Sequence, residues 1–187
     1  MRVIAGEFRS RRLESIPGDA TRPTADRVRE ALFNILQTRI QGASFVDAYA
    51  GTGAVGIEAL SRGAAHVTFV ESDPLAIAAI EQNLAKTRFQ GEVMSMDVFS
   101  YLDRRAHVQP FDIIIADPPY AKQPGERDFT PELLASESLR QKLAPGGVFI
   151  LEHLPGATLP LHNTWVCTRD KRYGATAVAF LMRPEPA

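Results

Sequence analysis

From residue 44 onward, short apolar runs and amphipathic stretches alternate along the chain. The apolar runs cover residues 45–50, 66–71, 92–96, 111–117 and 148–152, each of strand length. Helix-like stretches fill the gaps at residues 54–62, 74–86, 99–105 and 131–142. In the second of these, Ile77, Ile80 and Leu84 share one face, and Pro74 sits in the first turn, where a missing amide donor costs nothing. Strands alternating with helices predict a mostly parallel sheet covered on both faces. Two further strands, near residues 164–168 and 176–182, have no helix between them and predict an antiparallel hairpin around Tyr173-Gly174. The expected fold is therefore α/β, a seven-stranded, mostly parallel sheet that ends in an antiparallel hairpin.

The first forty residues follow a different pattern. Residues 2–16 alternate Val, Ile, Phe and Leu with Arg and Ser around Gly6, which reads as a short strand pair. Pro17-Gly18-Asp19 reads as a turn, and Arg22-Pro23-Thr24 leads into a helix with Thr24 as its N-cap. Val28, Ala31, Leu32, Ile35 and Leu36 fall at i, i+3, i+4, i+7 and i+8, one apolar stripe, with Arg27, Glu30 and Asn34 opposite. Residues 1–40 are thus expected to form a small extension packed on a main domain of residues 41–187.

Composition narrows the class. At 187 residues and 45% hydrophobic content, the chain can bury one sizeable core. No apolar run approaches the roughly 18 residues needed to cross a bilayer. Met1 to Glu7 show no apolar leader, so no signal peptide and no membrane role are expected. A single cysteine, Cys167, allows no internal disulfide and fits a reducing cytoplasm. It and the four scattered histidines form no metal-ligand cluster, so no metal is expected.

The net charge of −1 is uninformative, but its distribution is not. Residues 1–39 carry eight Arg against five acids, a net of +3. Residues 40–168 carry nine basic residues against fifteen acids, and residues 169–187 carry four against two. Basic ends around an acidic middle suit a phosphate-contacting surface beside a catalytic body; the plainer reading is solvated charge.

The segment Asp47-Ala48-Tyr49-Ala50-Gly51-Thr52-Gly53-Ala54-Val55-Gly56 joins a strand, a glycine turn and a helix start. Gly51 and Gly53 remove side chains where a ligand must approach the backbone. In an open parallel sheet, ligands bind beyond the carboxyl ends of the strands. Gly51, Gly53 and Gly56 also fit the dinucleotide pattern G-x-G-x-x-G, which alone is a weak signal. Asp47 favours S-adenosylmethionine, which has no pyrophosphate but carries an ammonium and a sulfonium. Glu71 closes the next strand, where a carboxylate accepts both hydroxyls of a ribose, and Ser72 follows it. Asp97, with Val98, follows the third strand and could accept from an adenine amino group; a helix cap is its plainer role.

Phe111-Asp112-Ile113-Ile114-Ile115-Ala116 reads as a buried strand, and Asp117-Pro118-Pro119-Tyr120 follows directly. Pro118 and Pro119 stiffen the chain and lack amide donors, so carbonyls there can face a ligand in a fixed direction. A nucleobase amino group is a poor nucleophile, because its lone pair is delocalised into the ring. Acceptors that hold its two N–H groups draw the nitrogen toward a tetrahedral geometry. The Asp117 carboxylate and the Pro118 carbonyl are two such acceptors. Tyr120 offers a face on which a base can stack, worth about 1–3 kcal/mol.

At this point the residues resemble a family, the RsmD-type methyltransferases, which modify the N2 amino group of a guanine in 16S ribosomal RNA. The resemblance covers nearly the whole chain: Met1-Arg2-Val3-Ile4-Ala5-Gly6 with Arg9, Arg11, Arg12 and Leu13; Arg22-Pro23-Thr24 with Asp26-Arg27-Val28-Arg29-Glu30; and Asp47 to Gly53. It continues through Glu58-Ala59-Leu60-Ser61-Arg62-Gly63-Ala64, Asp117 to Tyr120 and Lys171-Arg172-Tyr173-Gly174. It implies a Rossmann-like class I fold, with S-adenosylmethionine held by the turn from Asp47 to Gly53 (Ala50, Gly51 and Thr52 included), Glu71, Ser72, Asp97 and Val98. Asp117 to Tyr120 would orient the guanine. Arg9, Arg11, Arg12, Arg22, Arg27, Lys171, Arg172 and Tyr173 would meet the RNA. Phe8, among these arginines, is read as packing.

The substrate implied is 16S ribosomal RNA or the small ribosomal subunit, and a monomer is expected. Three other readings stand beside it: an amino-group methyltransferase acting on adenine or protein glutamine, an NAD-dependent oxidoreductase, and a non-catalytic RNA-binding assembly factor. The first usually carries Asn where Asp117 stands.

Overall fold

The computed structural model describes residues 1–16, 23–104, 109–121 and 125–185. The expected turn at Pro17-Gly18-Asp19 and the candidate Arg22 lie outside the described residues. The chain forms two compact units, Met1–Tyr101 and Leu102–Ala187.

In the first unit, helix α1 (Pro23–Leu36) precedes β1 (Ser44–Ala48), α2 (Ala54–Ser61), β2 (His66–Glu71), α3 (Pro74–Thr87) and β3 (Glu92–Ser95). The three strands pair in parallel, β1 on β2 from Ser44↔His66 to Ala48↔Val70 and β2 on β3 up to Glu71↔Ser95. Their carboxyl ends therefore finish level. Phe45, Val67, Phe69 and Val70 are fully buried, as apolar strands covered by helices should be. Gly56 lets α2 lie close on the sheet: a Cβ there would stand 2.3 Å from Phe69.

Helix α1 begins at Pro23, so Thr24 lies inside it and not at its cap. Its buried face is also turned from the expected one. Val28, Leu32 and Leu36 are buried as expected, but Phe33 and Arg29 complete the face, while Ala31 and Ile35 are only half-buried. Phe33 stacks on Phe45 at 6.3 Å and lies under the Arg62 guanidinium. The expected polar side, Arg27, Glu30 and Asn34, is exposed.

Residues 2–13 are joined by a single antiparallel bridge, Arg2↔Arg12, and not by two full strands. What fixes this segment is α2. Glu58, wholly buried, accepts from the amides of Ile4 at 2.7 Å and Ala5 at 3.0 Å. Ser61 accepts from the Phe8 amide and donates to the Ala5 carbonyl. Gly6 is required here: its φ is +82°, and a Cβ would sit 1.7 Å from the Ser61 carbonyl oxygen.

Helix α4 (Val98–Asp103) leads to the second unit, with β4 (Phe111–Ala116), α5 (Phe129–Ala135), α6 (Glu137–Lys142), β5 (Leu143–His153), β6 (Val166–Tyr173) and β7 (Thr176–Met182). The helix expected over residues 131–142 is two helices. Ser136 adopts an extended conformation and caps α6 through the Leu139 amide, so capping outweighs helix continuation. Asp128 caps α5, while Arg127 pairs with Glu132 and covers Phe129. Strand β4 is parallel to β5, with Ala116 opposite Leu151, and β5, β7 and β6 are antiparallel in that order. Gly174, at φ +65°, opens the two-residue turn of the expected hairpin. In sheet order the strands are β3-β2-β1 in the first unit and β4-β5-β7-β6 in the second. No helix among the described residues is long and apolar enough to cross a membrane.

Candidate active site

In the first unit, the level strand ends bring the cofactor candidates to one edge. Tyr49 and Gly51 adopt left-handed backbone, φ +64° and +54°, and Gly53 starts α2 at φ +75°. A non-glycine residue held at positive φ is strained, and such strain gathers at functional turns. The Gly53 amide closes the turn on the Ala50 carbonyl at 2.8 Å. At Gly51 a Cβ would meet nothing within 4 Å, so the backbone there is open to an incoming group.

Asp47 is only 4% exposed, and its Oδ2 accepts from the Gly56 amide at 2.8 Å. It braces the turn against the first turn of α2. Glu71 accepts from Gly51 at 2.8 Å through one oxygen and from Ser72 and Asp73 through the other. A carboxylate has about four lone-pair sites, so ribose hydroxyls can still donate to it. Asp97 caps α4 through the Ser100 amide at 2.7 Å, the plainer of its two expected roles; it is exposed, whereas Val98 is buried. This donor set fits S-adenosylmethionine: a ribose acceptor at Glu71, an open glycine backbone at Gly51 and an acidic surround for a cation.

The turn is also fastened from behind. Asn83, fully buried on α3, donates to the Thr52 carbonyl at 3.0 Å and exchanges hydrogen bonds with the Glu14 backbone. The Thr52 hydroxyl reaches the Met1 sulfur at 3.7 Å. Neither Asn83 nor Glu58 stood out in the sequence as a structural anchor, because a buried polar residue on a helix resembles an exposed one until the face is known.

In the second unit, Asp117 follows β4 directly. Since Ala116 stands opposite Leu151, the next step in register sets Asp117 beside Glu152, two carboxylates at adjacent strand ends. The Tyr120 hydroxyl lies 3.1 Å from Thr176 Oγ1, and the charges of Asp117 and Glu152 both act on it. Thr176 in turn donates to the His153 carbonyl. Pro118 is buried and Pro119 exposed.

Asp117 is accessible by surface area, yet its carboxyl is poorly hydrated because protein crowds it. That desolvation, then the neighbouring Glu152 charge, pushes its carboxyl up from 3.8 to about 7. Glu152 is also raised, chiefly by burial, against the opposing influence of Thr176, Tyr120 and His153. Burial likewise pushes the Tyr120 phenol up, so it remains a proton donor at neutral pH. Two carboxyls that both resist ionisation share a proton readily.

Glu152, His153 and Thr176 were absent from the expected site. The available signal for Glu152 was its place at the end of a buried parallel strand. His153 is 2% exposed, its ring nitrogens facing the Leu154 carbonyl at 3.0 Å and Asp170 at 3.2 Å.

Among the RNA candidates, Arg9, Arg12, Arg27, Lys171 and Arg172 are exposed. Arg11 is engaged with the Lys86 carbonyl and the Phe8 ring, and Phe8 packs edge-on against Phe89 at 4.7 Å. Arg172 donates to the Gly174 carbonyl, and Lys171 lies over the Tyr173 ring. Strand β6 is solvent-exposed along nearly its whole length, a charged edge that also deters sheet-to-sheet association.

Comparison with known proteins places this arrangement. A family model described as Conserved hypothetical protein 95 matches residues 1–182. The chain is 38% identical over 185 residues to ribosomal RNA small subunit methyltransferase D of Escherichia coli K12, covering 98% of this chain and 90% of that protein. It is 36% identical to the putative rRNA methyltransferase YlbH of Bacillus subtilis, covering 96% and 97%. Among solved structures, the putative methyltransferase yhhF from Escherichia coli superposes with a TM-score of 0.80 at 31% identity, covering 98% and 97%. A Thermus thermophilus 16S rRNA methyltransferase solved with AdoMet and guanosine shares the fold at a TM-score of 0.73 and 22% identity, covering 89% of this chain and 44% of that one.

Proposed function

The chain belongs to the family described as Conserved hypothetical protein 95, and from that membership and the site's chemistry we propose that it transfers a methyl group from S-adenosylmethionine to the N2 amino group of a guanine in 16S ribosomal RNA. The observation that carries this reading is the Asp117-Pro118-Pro119-Tyr120 segment at the end of β4, with Glu152 one step past the last register pair, Ala116↔Leu151. The names of the Escherichia coli and Bacillus subtilis relatives, both rRNA methyltransferases, support it.

When bound, S-adenosylmethionine supplies a methyl group already activated by its sulfonium. Glu71 would accept the ribose hydroxyls, and the backbone from Ala50 to Gly53 would lie along the cofactor, with Ser72, Asp97 and Val98 nearby. The Asp117 carboxylate and the Pro118 carbonyl would each accept one N–H of the guanine amine. Holding both hydrogens pulls the nitrogen lone pair out of conjugation with the ring. Positioning carries much of the rate, because a fixed nucleophile needs no further search. Tyr120, its hydroxyl tied down, would present its ring as a stacking surface. The guanine must leave its stack to arrive there, as in other base-modifying enzymes.

Residues 1–40 and the hairpin residues Lys171 to Tyr173 are assigned the phosphate contacts, with Arg9, Arg12 and Arg27 the leading candidates of the first group. The substrate is naked 16S RNA or the small subunit, the working form a monomer, and the compartment the cytoplasm. The test incubates the protein with labelled S-adenosylmethionine and separate pools of ribosomal RNA, small subunits, DNA and protein, then identifies the labelled product by mass spectrometry. N2-methylguanine from the ribosomal pools is the expected result. Label in methyladenine, in methylglutamine or in nothing would overturn it.

A further inference from the structure

We infer that Glu152 is a proton-sharing positioning residue: one step past the Ala116↔Leu151 pair of the β4/β5 register it stands beside Asp117, and it takes a share of the proton that the substrate amine releases. The inference rests on the amine-methylating function proposed above, but it adds a group and a task to that site.

Three geometric facts support it. The parallel register that ends at Ala116↔Leu151 leaves Asp117 and Glu152 as the first residues past matched positions, on adjoining strands. The Tyr120 hydroxyl, from the segment after β4, reaches across to β7, 3.1 Å from Thr176 Oγ1. Thr176 itself is fixed by the β5–β7 pairing next to His153↔Ala177 and by its bond to the His153 carbonyl. The groups that act on Asp117 are thus a carboxylate and a phenol, neither of them a cation.

A lone carboxylate would ionise fully at neutral pH and hold the amine hydrogens well. It would then be a weak destination for a proton. A second carboxylate alongside raises proton affinity, because two like charges at close range resist coexisting. As the amine is alkylated, one N–H bond breaks and its electron pair stays on nitrogen. The proton forms an O–H bond on Asp117 and is shared toward Glu152, then passes to water after the product leaves. No electron is transferred, and the positive charge brought by the cofactor departs as this proton.

The groups that face Glu152 define the expected pH response. From β4 and the segment after it these are Asp117 and Tyr120; on β5, His153 is the adjoining titratable residue; β7 offers only the uncharged Thr176 and Val178. Asp170 of β6 reaches His153. Asp117 must be ionised to accept from the amine, so kcat/KM should rise with pH through an acid limb.

The test measures kcat/KM against pH for wild type, Glu152→Gln and Glu152→Asp. Glu152→Gln keeps the hydrogen-bonding shape but removes the like charge, so its acid limb should move down by about one pH unit or more, with a lower plateau. Glu152→Asp should leave the limb near its wild-type position. An unmoved limb in Glu152→Gln would overturn the inference while leaving the methyltransferase reading intact. A second measurement needs neither a variant nor activity: carboxyl-labelled wild type, titrated by carbon-13 NMR. One Asp and one Glu signal should each respond to the other's titration, with one above the ordinary carboxylate range. Independent titration of both in that range would equally overturn it. Failure of wild type to methylate any base amine would sink the underlying reading, and the NMR result would still decide whether the pair exists.

Discussion

Carboxylates at strand ends occur in both units of this molecule, under opposite conditions. In the first, Asp47 rests on the Gly56 amide and Glu71 on the amides of Gly51, Ser72 and Asp73, while buried Glu58 of α2 faces two amides and Arg62. Each has donors aimed at its oxygens, and charge-assisted bonds of that kind are the strong ones. In the second, Asp117 and Glu152 face each other across neighbouring strands, with a phenol and a threonine hydroxyl for company. The first set is built to hold backbone in place. The second is built to exchange a proton. The same side chain thus serves as scaffold or as reagent according to who donates to it.

That contrast can be broken from either side, and the largest effect belongs to the reagent side. Asp117→Ala should lower kcat on the order of 10²–10⁴-fold, with S-adenosylmethionine affinity within a few-fold of wild type by calorimetry. Near-normal turnover would remove Asp117 from the chemistry. On the scaffold side, Glu58→Ala strands the amides of Ile4 and Ala5 together with the Arg62 guanidinium. Removing one partner of a buried charged network costs about 3–5 kcal/mol. Urea unfolding should show that loss, and a change under about 1 kcal/mol would mean the N-terminal segment docks by other means.

A subtler difference appears with pH. Asp117 has its carboxyl raised in the folded protein, so the stability it contributes is fully present below about pH 4 and fades as pH rises through about 7. Asp117→Asn lacks that penalty. Its unfolding free energy should gain on wild type between about pH 4 and pH 8, and parallel curves would contradict the crowding of the pair. The smallest effect is at the hairpin. Replacing both Lys171 and Arg172 with Glu should weaken RNA binding several-fold and reduce the salt slope of log Kd by about one for each phosphate no longer neutralised. Cofactor affinity should not move.

Much of this was legible in the residues alone. Apolar runs placed β1, β2, β4 and the core of β5, because a buried parallel strand must be continuously hydrophobic. The exposed, charged β6 instead runs from Val166 to Tyr173, past the stretch near 164–168 expected for it. The glycine turn and the Asp-Pro-Pro-Tyr segment announced themselves through residue types that ordinary strand ends do not need. What escaped was decided by the partner surface. Phe33 and Arg29 belong to the buried face of α1, which the stripe of Val28, Ala31, Leu32, Ile35 and Leu36 does not include. Ser136 splits a helix that periodicity would continue, since its side chain finds the Leu139 amide. Glu152 was visible as a strand terminus, but only the register of β4 on β5 makes it the neighbour of Asp117.

A crystal structure with S-adenosylhomocysteine and guanosine is the most direct check. The account predicts ribose hydroxyls on Glu71 and the guanine amine donating to the Asp117 carboxylate and the Pro118 carbonyl. A guanine amine bonded elsewhere, with those two acceptors untouched, would contradict it.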